Sequence, residues 1–113
     1  MTDPRAFLPL TPQQFQILLA LEGSDRHGYG IILDVARRTD GAMRLGTGTL
    51  YTAIARLVAL ELVAETGRED ERRRFYRLSA LGRRVLLAET ARLEALVRDA
   101  HRLGVRGGRP VRS

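Results

Sequence analysis

A chain of 113 residues has the length of one domain, and its 44% hydrophobic content supports a modest core and excludes a disordered chain. Cysteine is absent, which excludes disulfides, thiolate metal sites and cysteine nucleophiles together, and no apolar run approaches the roughly 20 residues of a membrane span. The formal charge of +6 is carried by arginine alone, but residues 1–103 hold 16 Arg against 13 Asp and Glu, and Arg106, Arg109 and Arg112 supply the rest, so position rather than total charge must indicate the partner.

Residues 1–10, with Pro4 and Pro9, read as an extended lead without the basic start and long apolar stretch of a secretory signal, so a cytoplasmic protein is expected. Thr11-Pro12-Gln13-Gln14 then announces a helix: Thr11 can cap it, Pro12 suits its first position, and Gln14 completes a capping box. Phe15, Ile17, Leu18 and Leu19 give it a broad apolar face that ends near Glu22-Gly23. A second helix is predicted from about His27 or Gly28 to Arg38, with Tyr29, Ile32, Val35 and Ala36 facing the core and Thr39-Asp40-Gly41 ending it. Met43-Arg44-Leu45 reads as a brief edge strand at most. The third helix spans about Thr47 to Leu60, its buried face defined by Leu50, Ile54 and Leu57 at i, i+4 and i+7. Residues 62–66 and 73–78 are β-rich runs flanking a polar turn at 67–72, which together read as a hairpin. Ser79 is a natural cap for a last helix reaching Leu103, and 104–113, with three Gly and one Pro, reads as a flexible tail.

This order predicts a mainly α fold with a small β-hairpin (α+β): a winged helix-turn-helix over 11–78 and a long dimerisation helix over 79–103. The outer face of the third helix is the most telling part. It carries Gly48, Thr49, Thr52, Ala55, Arg56 and Ala59, and no acid occurs between Asp40 and Glu61. Small, hydroxylated or cationic side chains permit close approach to phosphates, where a carboxylate would be repelled and bulk would block a groove. Thr47, Gly48, Thr49, Thr52 and Arg56 are therefore candidate DNA contacts. Tyr51 flanks this face and reads either as packing on the sheet or as reaching a phosphate. Between Arg68 and Arg77 lie five arginines and three acids, and Arg72, Arg73 and Arg74 would project near the hairpin tip, where a wing meets DNA. His27 and His101 lack any accompanying acid or cysteine set, so no metal or cofactor is expected. His27 reads with Gly28 and Gly30 as shaping the entry to the second helix. The serines lie in no nucleophile context, so an enzyme is not expected.

These segments resemble the PadR family of bacterial regulators. His27-Gly28-Tyr29-Gly30-Ile31 is similar to its second-helix signature, and Gly48-Thr49-Leu50-Tyr51-Thr52-Ala53-Ile54 to its recognition helix, with Ile54 where Leu is usual. Arg72 to Arg83, RRRFYRLSALGR, is similar to its wing-to-helix segment, and Gly46-Thr47 departs from the frequent Ser-Pro before the Gly-Thr pair. The resemblance covers roughly residues 15–103. It implies a dimeric repressor on a pseudo-palindromic operator, of the short subfamily with a single C-terminal helix. Some short members bind flat aromatic drugs at the dimer interface through a tryptophan of the last helix. This chain has no Trp and no aromatic residue after Tyr76, which argues against that route.

The last helix supports a dimer on its own evidence. Its 25 residues from Ser79 to Leu103 would span about 37 Å, more than a small domain covers alone. Leu86, Leu93 and Ala100 recur every seven residues with Leu96 and Leu103 in the alternating heptad positions, Val85 and Val97 widen the stripe, and Glu89 interrupts it. A fold-back onto the first helix in a monomer is the alternative arrangement. An interaction module using the winged helix and the apolar last helix is the alternative function. A third reading places a small-molecule effector at the dimer interface, between the first and last helices near Phe7 and Phe15.

Overall fold

The computed structural model describes residues 2–70 and 73–108, the side chains of 68–70 excepted. A 3-10 turn at Pro4–Phe7 is followed by α1 (Pro12–Ala20), β1 (Arg26–His27), α2 (Gly28–Arg38), α3 (Thr47–Ala59), β2 (Val63–Asp70), β3 (Arg73–Leu78) and α4 (Ala80–Arg102). The sheet order is β1-β3-β2, all antiparallel, with Arg26 opposite Tyr76 and Val63 opposite Leu78. Three helices against a small sheet, with a β2–β3 hairpin beside α3, is the winged-helix arrangement. Arg72 and the tail residues 109–113 lie outside the described residues.

The local signals act as the residues dictate. Thr11 Oγ1 accepts the Gln14 N–H, Gln14 Oε1 accepts the Thr11 N–H, both at 3.0 Å, and Pro12 opens α1. Ser79 Oγ accepts the Gly82 N–H at 2.9 Å and donates to the Glu61 carbonyl at 2.7 Å, so one hydroxyl both starts α4 and ties it to the end of α3. Leu50, Ile54 and Leu57 point inward from α3 and meet Ile17, Leu18, Ile31, Val35, Leu62 and Val85 in one core. Arg38 of α2 donates to the side chain and carbonyl of Gln16, holding α1 against α2.

Five expectations need correction. In α2 it is Ile31 and Val35 that are buried, and Tyr29 is 57% exposed. Tyr29 lies about 200° around the helix from Ile31, so both cannot face the core, and the capped start sets which one does. Residues 43–45 form no strand. Thr39 Oγ1 accepts the Met43 N–H at 3.1 Å, and Leu45 is buried in the core with Met43 packed against it. The hairpin strand β2 runs on to Asp70, because pairing with β3 resumes at Glu69 after a register shift beyond Glu65. Val85 and Leu86, assigned to a dimer seam, are buried within the protomer, since the first half of α4 closes its own core.

In the lead, Pro4–Phe7 form a 3-10 turn where extended chain was expected. Asp3 accepts the Arg5 N–H at 2.9 Å and Pro4 opens the turn. Leu10 is buried beyond it, and its N–H donates at 2.8 Å to Glu89, a carboxylate only 1% exposed on α4. Glu89 also pairs with Arg92. It therefore interrupts the apolar stripe to fasten the lead to α4. The Arg92 hydrogen bond, opposed by burial and helped by the Leu10 N–H, holds its carboxyl below the ordinary 4.5. A depressed folded-state value means that this stabilisation is complete above 4.5 and is lost as pH falls through the lower folded value. Glu89→Ala leaves a buried N–H without an acceptor and should cost about 2 kcal/mol at pH 7. Denaturant titrations of both proteins should show that difference shrinking in acid.

Candidate nucleic-acid interface

α2 and α3 are joined by residues 39–46, with Asp40 and Gly41 at φ 50° and 78° turning the chain at the end of α2. With its apolar stripe inward, α3 presents Thr47, Gly48, Thr49, Tyr51, Thr52 and Arg56 to solvent, along with Ala55 and Ala59. No carboxylate interrupts this face. Gly46 offers α3 no side-chain cap, whereas Thr11, His27 and Ser79 cap the other three helices. The first-turn N–H groups of α3 therefore stay open to water or to an anion, in line with the positive end of the helix dipole.

Two clefts flank the exposed face. On one side, the start of α1 faces α3 across a groove of about 610 Å³, lined by Thr11, Gln13, Gln14, Gly48, Thr49, Thr52 and Arg56. All its charged and hydrogen-bonding side chains are cationic or neutral. Arg56 makes no ion pair among the described residues, so its guanidinium is available. On the other side, a cleft of about 370 Å³ lies between α3 and the hairpin, lined by His27, Gly28, Tyr29, Tyr51, Arg73, Arg74 and Tyr76. Here Tyr51 settles against Gly28, where a Cβ would stand 2.3 Å from the phenolic oxygen, so any larger residue would displace the Tyr51 ring. The ring is half exposed, at 49%. Tyr76 is buried beneath it, and that burial, then the Glu65 charge, raises its hydroxyl above the ordinary 10, keeping it neutral.

Arg73 and Arg74 are exposed on β3. Arg74 approaches Glu65 at 3.6 Å, an ion pair between exposed side chains that contributes at most about 1 kcal/mol and yields readily to a competing anion. Arg77 is turned away and pairs with Asp25 at 3.1 Å. The structure thus brings the α3 candidates and Arg73 and Arg74 onto one surface. It adds Gln13 from α1 and His27 and Tyr29 from the α2 entry, which sequence reasoning left out. The available signal was a run of neutral amides opening α1 with no acid in its first turn.

The α4 residues divide. Leu93 and Ala100 are half-buried, while Leu96, Val97 and Leu103 are 54%, 53% and 77% exposed. Phe15 of α1 and Thr90, Leu93, Val97 and His101 of α4 line a mainly apolar groove of about 450 Å³. Phe7 packs instead against the core near the lead.

A family model described as Transcriptional regulator PadR-like family matches residues 17–88. No curated protein sequence matches the chain. Among solved structures, a transcriptional regulator from Clostridium thermocellum is 25% identical with a TM-score of 0.68, over 87% of this chain and 93% of that one. A PadR family transcription regulator from Clostridium difficile is 22% identical with a TM-score of 0.68, over 80% and 95%. A PadR family regulator from Eggerthella lenta is 24% identical with a TM-score of 0.65, over 88% and 83%. These relatives are regulators and not enzymes, and no helix among the described residues is long and apolar enough to cross a membrane. The family match spans the helix-turn-helix, the hairpin and the start of α4, and the chain accordingly belongs to the PadR-like family of transcriptional regulators.

Proposed function

We propose that this regulator is a cytoplasmic dimeric repressor in which each protomer sets α3 into a major groove of a pseudo-palindromic operator. The observation that carries the reading is the acid-free exposed face of α3, flanked by donor-lined clefts on both sides. Thr49, Thr52 and Arg56 read base edges or phosphates, and Arg73 and Arg74 of the wing contact the backbone. The two recognition helices lie about 34 Å apart, one turn of duplex. Binding to promoter DNA should weaken steeply with salt, by about 0.9 in log K per log salt for each phosphate neutralised. A flat plot would remove the reading. Repression itself is tested by a promoter fusion whose output should rise when the gene is deleted.

The dimer is carried by the second half of α4. A radius of gyration of 15.9 Å exceeds the about 13 Å of a compact domain this long, as a helix that overhangs its domain requires. Leu93, Leu96, Val97, Ala100 and Leu103 then meet their counterparts in the partner. Leu96→Asp with Val97→Asp should convert a dimer to a monomer in sedimentation and lower operator affinity more than tenfold, because each half-site would bind alone. A wild-type monomer that ignores DNA would favour an interaction module instead. The groove lined by Phe15, Leu93 and Val97 is where an effector at the dimer interface would lie, and a thermal-shift screen with aromatic compounds tests for one.

A further inference from the structure

His27 meets two demands that conflict within one neutral ring. Its Nδ1 accepts the Gly30 N–H at 3.0 Å and so caps α2. A neutral imidazole carries one N–H, so this acceptor role places the proton on Nε2. Nε2 stands 3.1 Å from Nη1 of Arg73, a guanidinium nitrogen that can only donate. Two donors therefore converge with no acceptor between them among the described side chains. Protonating the ring resolves nothing, since it would abolish the cap and set two cations side by side. An acceptor that both N–H groups can reach relieves the conflict.

The surroundings specify what kind of acceptor. The cleft around this pair adds Tyr29, Tyr51 and Arg74, and none of its lining residues among the described side chains is acidic. In the β2–β3 register Asp70 stands opposite Arg73 and Glu69 opposite Arg74, and Glu65 touches Arg74 from a neighbouring cleft at 3.6 Å. Asp25 is engaged by Arg77. Tyr51, seated against Gly28, holds its hydroxyl at the wall. The volume of about 370 Å³ and the opening to solvent admit a phosphate with its attached sugar.

We propose that this cleft is an oxyanion site that takes a phosphate group, one oxygen accepting from both His27 Nε2 and Arg73, the others facing Tyr51 and Arg74. Its occupant is a backbone phosphate of the bound duplex. That source rests on the DNA-binding reading above, while the oxyanion chemistry rests on the cleft alone. Tyr51 belongs to α3, so the phosphate would lie where the recognition helix meets the wing. It would position the protein on the duplex without reading sequence.

Two measurements on the full chain test this. In the first, inorganic phosphate is added at constant ionic strength while the ¹⁵N resonances of the His27 ring are followed. A saturable shift is expected, and it should disappear in Arg73→Ala. In the second, duplex affinity is compared among wild type, His27→Asn, Arg73→Ala and the double variant. Asn keeps an oxygen to cap α2 but loses the Nε2 donor, and circular dichroism checks that the helix content is retained. His27→Asn should weaken binding about tenfold on all sequences alike, and the double variant should be little weaker than Arg73→Ala, because both contact one phosphate. Tyr51→Phe, with a loss of about threefold, serves if His27→Asn fails to fold. Losses that multiply in the double variant overturn the shared phosphate. A resonance shift with unchanged duplex affinity overturns the duplex as source and assigns the site to a free phosphate compound. No shift and no loss of affinity overturn the site. If the wild type binds no duplex, the DNA-binding reading falls, and the resonance measurement alone decides the cleft.

Discussion

Thr52→Glu should leave the fold unchanged and weaken duplex binding by roughly 100-fold. Thr52 is exposed in the middle of α3, and Glu is a better helix former than Thr, so nothing in the core or the helix opposes the change. What changes is the electrostatics of the face. A carboxylate about 4 Å from a phosphate costs about 4 kcal/mol at an effective dielectric constant near 20, and rotation of the side chain away from the DNA recovers part of that. Circular dichroism and thermal melting should match the wild type, and a fluorescence anisotropy titration should show the loss. Retained affinity would mean that α3 does not face the duplex. Thr52→Gln separates size from charge and should cost far less.

Gly82→Ala should destabilise the protein by about 3 kcal/mol, lowering its melting temperature by roughly 15 °C. Gly82 is buried in the first turn of α4, and a Cβ there would stand 2.0 Å from the Leu62 carbonyl oxygen and 2.9 Å from Leu78 Cδ1. The leucine tip can move, but the carbonyl cannot: Leu62 O accepts the Ser79 N–H at 3.0 Å and precedes β2 directly. Relief therefore requires the whole start of α4 to lift from the α3–β2 corner, against the Ser79 cap. In an ordinary helix the same change would stabilise, since Ala has the higher helix propensity. Gly104→Ala is a useful contrast, because its Cβ would meet nothing within 4 Å, although its φ of 84° adds strain of about 1 kcal/mol.

A second buried carboxylate lies on α2. Asp34 of α2 is buried and accepts from Arg37 at 2.8 Å and Arg38 at 2.6 Å, with Arg26 at 3.3 Å. Burial alone would raise its carboxyl, but the hydrogen bonds from Arg38 and Arg37 outweigh it and leave the group below 3.8. Three of the chain's arginines are thus engaged in holding a buried carboxylate within the protomer. Composition could not distinguish them from Arg56, Arg73 and Arg74, because partner and burial, not residue type, separate the two sets.

Signals carried by neighbouring residues were legible without the structure. The Thr11–Gln14 box, the Ser79 cap and the i, i+4, i+7 stripe of Leu50, Ile54 and Leu57 involve side chains within two turns of each other, and local geometry leaves them little choice. β1 was not legible, because two residues cannot display an alternation. The facing of α2 was not either: Tyr29, Ile31, Ile32 and Val35 are all apolar enough for a core, and packing against α1 and α3 chose among them.

The acid-free outer face of α3 was already determined by the residues between Asp40 and Glu61, since helical periodicity alone sorts Leu50, Ile54 and Leu57 from Thr49, Thr52 and Arg56. What only the tertiary structure decided is what stands beside that face. Gln13 reaches it from 36 residues before Thr49 in the chain, and His27 meets Arg73 across 46 residues. The division of α4 was settled at the same level. Val85 and Leu86 fill the protomer's core and Glu89 captures the Leu10 N–H, leaving Leu96, Val97 and Leu103 uncovered. A heptad repeat records only that a stripe is apolar, and which part of it is already covered depends on where the rest of the chain ends up.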